Sequence, residues 1–160
     1  MKAISLWQPW ASAMALGLKK NETRNWGTAY RGPLLIHAAK KKINISDNYY
    51  LLKNLRKHGL NPHEMPYGAL ICMVYLVGCE QIGYENCPAC DSLEYLLGNY
   101  DHGRFMWITD NLKIFDPIPY KGSQGFFNVS DYPNNEKLAQ QVMEFINPPE
   151  QAGERGSDVK

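Results

Sequence analysis

Three side chains stand out for the chemistry their types and spacing could do: Lys19, Glu22 and Arg24, in the run Gly17-Leu18-Lys19-Lys20-Asn21-Glu22-Thr23-Arg24. Successive side chains of a strand point to opposite sides, so a carboxylate and a guanidinium two residues apart share a face. With a strand from Glu22 to Trp26, the Trp26 indole joins that face, Thr23 and Asn25 take the other, and Lys19 feeds it from the turn. Three uses fit the trio. As structure, Glu22 and Arg24 neutralise each other and Lys19 is solvated. As binding, the cations take phosphates, Glu22 accepts from a base amino group, and Trp7, Trp26 or Trp107 supplies a stacking platform. As catalysis, Lys19 and Glu22 form an acid/base pair beside Arg24, which stabilises developing negative charge. Spacing alone does not rank the last two.

The elements that must hold these residues can be read in order. Ala3 to Leu6 reads as a strand. Trp10 to Leu16 reads as a helix, with Pro9 in its first turn and Gly17 as the left-handed residue that ends it. Leu34 to Ala39 is a mostly apolar strand in which His37 reads as a hydrogen-bonded core residue. Ser46 caps a helix stapled by Ile45, carried by Tyr50, Leu51, Leu52 and Leu55, and stopped by Gly59. Gly68 to Ile82 is long, apolar and β-branched, as a central strand would be. Gly83 to Asp101 looks like an insertion with a short helix around Leu93 to Leu97. Phe105 to Thr109 and Lys113 to Phe115 read as a hairpin about Asp110-Asn111, and Pro117 and Pro119 confine the next piece to an edge or a loop. A glycine-punctuated loop, Lys121 to Gly125, runs into aromatics. Asn134 or Asn135 then opens a last helix through Ile146. The pattern is α+β: short strands with three or four peripheral helices, most simply a small barrel, as one domain over residues 1–146 and a flexible polar tail over 147–160.

Composition narrows the partners. The 160 residues hold 44% apolar and 21% charged side chains, a globular balance, and no apolar run reaches the roughly 20 residues of a membrane helix. No membrane association is expected. The opening Met1-Lys2-Ala3-Ile4 enters a strand pattern at once, leaving no room for a signal peptide, so the cytoplasm is the expected compartment. The net charge of +1 conceals an asymmetry: residues 1–60 carry eleven Lys/Arg against two acids, and residues 61–160 carry six against fourteen. A basic region of that density suits an anionic partner, nucleic acid being the commonest, while the Lys40-Lys41-Lys42 run alone could serve only solubility. Cys87-Pro88-Ala89-Cys90 has the gap of a zinc half-site, with Cys79 a candidate third ligand. No second pair of that spacing exists, and reduced thiols in a loop are the plainer reading, so no cofactor is expected.

Several segments together carry a resemblance. Ser5-Leu6-Trp7-Gln8-Pro9-Trp10-Ala11, the Gly17-x-Lys19-x-x-Glu22-x-Arg24 pattern, Trp26-x-Thr28-x-x-Arg31-Gly32 and Leu35-Ile36-His37-Ala38 are similar to the ASCH domain. So are Gly68-Ala69 at the head of a long apolar strand, Gly103-Arg104-Phe105-x-Trp107 and Pro119-Tyr120-Lys121-Gly122-x-Gln124-Gly125, which resemble the stand-alone prokaryotic and phage members. The likeness covers roughly residues 2–130. It implies a PUA-like mixed β-barrel whose cleft carries Lys19, Glu22 and Arg24 and suits RNA, single-stranded nucleic acid or a nucleobase or nucleoside. Lys121 and Gln124 would sit near that cleft, with Arg31 and Arg104 as further candidates. The family includes nucleic-acid-binding domains, a proposed ribonuclease branch and small amidohydrolases acting on N4-acetylcytidine. The amidohydrolases place their nucleophilic threonine where this chain has Glu22, which argues against amide hydrolysis, while Thr23 should face the opposite side of the strand. The expectation is an RNA-binding module, with a hydrolase using Lys19 and Glu22, or a protein-interaction module using the acidic second half, as alternatives.

Overall fold

A computed structural model describes residues 1–147, so the rest of the expected tail lies outside the described residues. The strands are β1 (Lys2–Leu6), β2 (Asn21–Arg24), β3 (Gly32–Ala38), β4 (Ala69–Gln81), β5 (Phe105–Pro119) and β6 (Phe126–Asn128). The helices are α1 (Trp10–Ala15), α2 (Tyr49–Arg56), α3 (Leu93–Leu96) and α4 (Glu136–Ile146). All six strands form one sheet in the order β2-β5-β4-β3-β1-β6, curled into a half-barrel. β1 and β3 are parallel, and the other pairs are antiparallel.

The apolar strands are apolar because both faces of the sheet are covered. Ile4, Leu6, Leu34, Ile36 and Trp107 bury one face under Ala11 and Met14 of α1. The alternate positions Ala3, Leu35, Leu70 and Met73 bury the other under Leu138, Val142 and Phe145 of α4. That four-and-three spacing is one stripe of a helix. Asn135 caps α4 by accepting a hydrogen bond from the Leu138 N–H, as the sequence suggests.

Three local expectations are corrected. The hairpin at Asp110-Asn111 does not form: β5 is a single 15-residue strand beside β4, and Asp110 pairs with Tyr75. The register shifts at three places along that ladder, and Asn111 adopts φ 52°, so the turn-like residues make a bulge within a strand rather than a reversal. Ser46 does not cap α2. Its hydroxyl donates to Asn44 Oδ1, Asn48 holds the cap position without a side-chain bond, and Ile45 is exposed. β2 ends at Arg24, which leaves Trp26 in the following bend.

Candidate functional site

The end of α1 places the first charged residue. Gly17, at φ 71°, donates to the Met14 carbonyl, and Leu18 donates to that of Ala13, the paired closure of a Schellman motif. Leu18 and Ala13 join the same apolar cluster. Fixed between this closure and β2, Lys19 is only 2% exposed. Its ammonium donates to the carbonyls of Asn21 and Leu97, the latter at 2.8 Å, and lies 3.3 Å from Glu22 Oε2. Of its three N–H donors, two go to these carbonyls, and the Glu22 contact is an ion pair without an aligned hydrogen bond. Lys19, expected on a turn feeding the cleft, lines the smaller cleft as a buried residue whose ammonium is tied to two backbone carbonyls.

Glu22 and Arg24 share one face of β2, as the strand period requires. Arg24 Nε lies 3.0 Å from Glu22 Oε1, and Nη2 donates to the Ser5 carbonyl at 3.3 Å. The Nε contact is an ion pair without an aligned hydrogen bond. Both Glu22 oxygens are therefore occupied by cations, and the trio carries a net charge of +1.

Residues 83–101, expected as an insertion, form a wall of this site. Glu94 accepts from the backbone N–H groups of Lys20 (2.7 Å) and Asn21 (3.0 Å) and from the Tyr100 hydroxyl (2.7 Å). Burial and the hydrogen bond to Glu94 push the Tyr100 phenol up. Thr23, on the opposite side of β2 from Glu22, accepts from the Asn99 N–H. Arg104 spans Asn99 O (3.1 Å) and Thr23 O (3.4 Å).

Two clefts open over this frame. The larger, about 1060 Å³, is lined by Trp7, Arg24, Trp26, His37, Lys40, Tyr67, Tyr120 and the 121–125 loop. Among the described residues Arg24, Lys40 and Lys121 bring three cations to it, and no Asp or Glu lines it. Trp7 (58% exposed) and Trp26 (36%) present indole surface, and Lys41 sits 4.2 Å from the Trp7 ring centre. Trp107 is fully buried, so it cannot stack a ligand; instead its ring and that of Phe126 pack on Trp26, and its Nε1 donates to Trp26 O.

The loop side of this cleft rests on His37. Its Nε2 lies 3.0 Å from the Tyr120 carbonyl, which only accepts, so this nitrogen carries the proton. Nδ1 is 2.9 Å from Ser5 Oγ and accepts from that hydroxyl in the neutral ring. Burial lowers the His37 pKa, partly opposed by the Tyr120 bond. Gly122 lies so close that an added Cβ would meet the His37 ring and Ser5 Oγ. Burial, then the hydrogen bond to Asp131, push the neighbouring Tyr120 phenol up to about 12.

The smaller cleft, about 560 Å³, is lined by Lys19, Glu22, Thr23, Arg24, Trp10, Asn99 and Arg104, and shares Ser5, Trp7 and Arg24 with the first. The structure thus divides the sequence candidates: Trp26, Lys121 and Gln124 line one cleft, Lys19, Glu22 and Arg104 the other, and Trp7 and Arg24 both. Arg31 lines neither and donates to the Thr28 and Tyr30 carbonyls. The three cysteines are not gathered: Cys79 Sγ accepts from the Thr28 N–H, Cys87 packs beside Ile82 and Tyr100, and Cys90 is exposed. Among the described residues no group of three His, Cys, Asp or Glu side chains could hold a metal. Sequence reading missed His37 as a support for the loop, Lys40 on the rim, and the Leu97 carbonyl and Glu94 behind the motif. Only Lys40 left a trace, in the basic run at the end of β3.

The curled six-strand sheet with its helices is a PUA-like half-barrel fold. The chain belongs to the ASCH domain family, whose model matches residues 4–122 and which is associated with RNA binding. It is 36% identical over 80 residues to human activating signal cointegrator 1, and 35% identical to the mouse protein, a match that covers 48% of this chain and 14% of those relatives. The crystal structure of ASCH from Zymomonas mobilis superposes with a TM-score of 0.55 at 15% identity, covering 89% of this chain and 93% of that one. A tyrosine-to-phenylalanine variant of the same protein gives 0.53 at 14% identity. At such identities the likeness is one of fold. Among the described residues no helix is long and apolar enough to cross a membrane.

Proposed function

We propose that the chain binds single-stranded RNA and holds a base and its phosphate in the larger cleft. The observation that carries this reading is the cleft's composition among the described residues: three cations, no acid, and the exposed indoles of Trp7 and Trp26. Cations track the backbone, and indoles stack bases whatever their identity. Gln124 offers both a donor and an acceptor to a base edge. In this reading Lys19 and Glu22 are positioning residues for Arg24. Holding is favoured over acid/base work because two Lys19 donors are bound to carbonyls and both Glu22 oxygens lie against cations.

Fluorescence anisotropy with a labelled adenosine 10-mer tests it. With about three phosphates neutralised, the single-strand salt slope is about −2, so affinity falls roughly 20-fold between 50 and 200 mM salt. Binding that is indifferent to salt would overturn the electrostatic basis. RNA recovered intact after incubation is the expected companion result, whereas cleavage by the wild type that Lys19→Ala abolishes would replace holding by hydrolysis.

A further inference from the structure

The two clefts are not separate sites, since Ser5, Trp7 and Arg24 line both. Each is about the size of a small-molecule pocket or larger (roughly 300–1,000 Å³), so one mononucleotide occupies one of them and leaves the other empty. Their chemistry also differs. Among the described residues the larger has cations and no acid, as suits a base with an anionic backbone beside it. The smaller has one carboxylate, Glu22, already held by Lys19 and Arg24, and adds Trp10, Asn99 and Arg104. Its charge is net positive.

At the junction stands Arg24, with about a quarter of its side chain exposed. A guanidinium has five N–H donors. One Nη2 hydrogen goes to the Ser5 carbonyl and Nε lies in the unaligned ion pair with Glu22, and the Nη1 hydrogens with the other Nη2 hydrogen form the planar fork that recognises phosphate. Arg104 likewise commits Nε and one Nη2 hydrogen to Asn99 and Thr23, which fixes the guanidinium and leaves Nη1 for a second anion.

We propose that the joined groove takes two successive nucleotides of one RNA strand, the first base in the larger cleft, the linking phosphate at Arg24 and the second nucleotide against Trp10, Asn99 and Arg104. The inference rests on the RNA-binding reading above and adds a minimum ligand to it. The smaller cleft is then a second nucleotide subsite, and the motif frame is the bridge between the two.

Calorimetric titration of the whole chain with pA, pApA and the adenosine 10-mer decides it. A dinucleotide that binds at least tenfold more tightly than the mononucleotide is expected, because a second stacked base and a second phosphate are engaged. Arg104→Gln should narrow the pApA to pA ratio, and its thermal melt reports whether it folds. If the 10-mer binds and pApA binds no better than pA, the two-nucleotide groove is refuted and the RNA-binding reading survives. Should the 10-mer itself not bind the wild type, both fall. The wild-type ratio stands as a test even if Arg104→Gln does not fold.

Discussion

Replacing Lys19 by methionine keeps most of the side-chain volume and removes only the ammonium. The carbonyls of Asn21 and Leu97 then lose their shared donor, and Glu22 retains only the unaligned contact with Arg24. An unsatisfied buried polar group costs about 1–3 kcal/mol, and stripping one partner from a buried ion pair about 3–5 kcal/mol. These contributions overlap, because one ammonium serves both carbonyls and Glu22, and Glu22 keeps a cation and some water. A loss of about 3–4 kcal/mol follows, a large part of a typical total of about 5–15. Urea unfolding monitored by tryptophan fluorescence should show the midpoint falling by roughly 1.5–2 M at a slope of about 2 kcal/mol/M, with the slope unchanged. Adding Glu22→Gln should restore part of the loss, since an amide needs no counter-ion, giving a coupling of at least about 1 kcal/mol in the cycle. A midpoint shift under about 0.5 M would refute this structural role, and would return Lys19 to the groups free for acid/base work.

Two further outcomes follow from neighbouring groups. Glu94→Ala strands the Lys20 and Asn21 N–H groups and the Tyr100 hydroxyl; a melting temperature lower by roughly 4–10 °C is expected by calorimetry, from a cost of about 2–3 kcal/mol. The His37 pKa is lowered from 6.5 in the folded chain, so as pH falls below about 6.5 the unfolded chain takes up a proton before the folded one does. Stability is therefore full above that pH and declines below it, and His37→Gln should show a shallower decline in urea midpoints between pH 7 and 5.

The motif was legible because strand geometry is local. Period two alone puts Glu22 and Arg24 together, and the Asn134-Asn135 pair marks the start of α4, of which the structure selects Asn135 as the cap. What spacing could not reveal is that Lys19 donates to a carbonyl 78 residues away, for a buried and a solvated lysine look alike in sequence. Asp110-Asn111 misled for a related reason: polar residues tolerant of positive φ serve a turn and a bulge equally, and only the pairing of β5 with β4 separates them. Asn44 takes the Ser46 hydroxyl and Asn48 stands at the cap position without a side-chain bond, so composition located α2 without identifying what opens it. The larger cleft joins residues from the ends of β1 and β3, the bend after β2 and the loop after β5, a juxtaposition set by strand order.

That strand order also bears on how the molecule is made. β6 completes the sheet by pairing with β1, and the Met1 amino group donates to the Val129 carbonyl, 128 residues away. Contacts so distant in sequence close late, since the entropy of the loop must be met before they form. The pairings among β1, β3, β4 and β5 involve shorter separations and need none of the chain beyond Pro119. On a ribosome, the Lys19–Glu22–Arg24 frame is therefore expected to assemble first, while the 121–125 loop gains its second anchor only when β6 emerges and docks. A nascent chain would pass through a stage with a formed frame and an unfinished groove, which closes only once β6 has paired with β1.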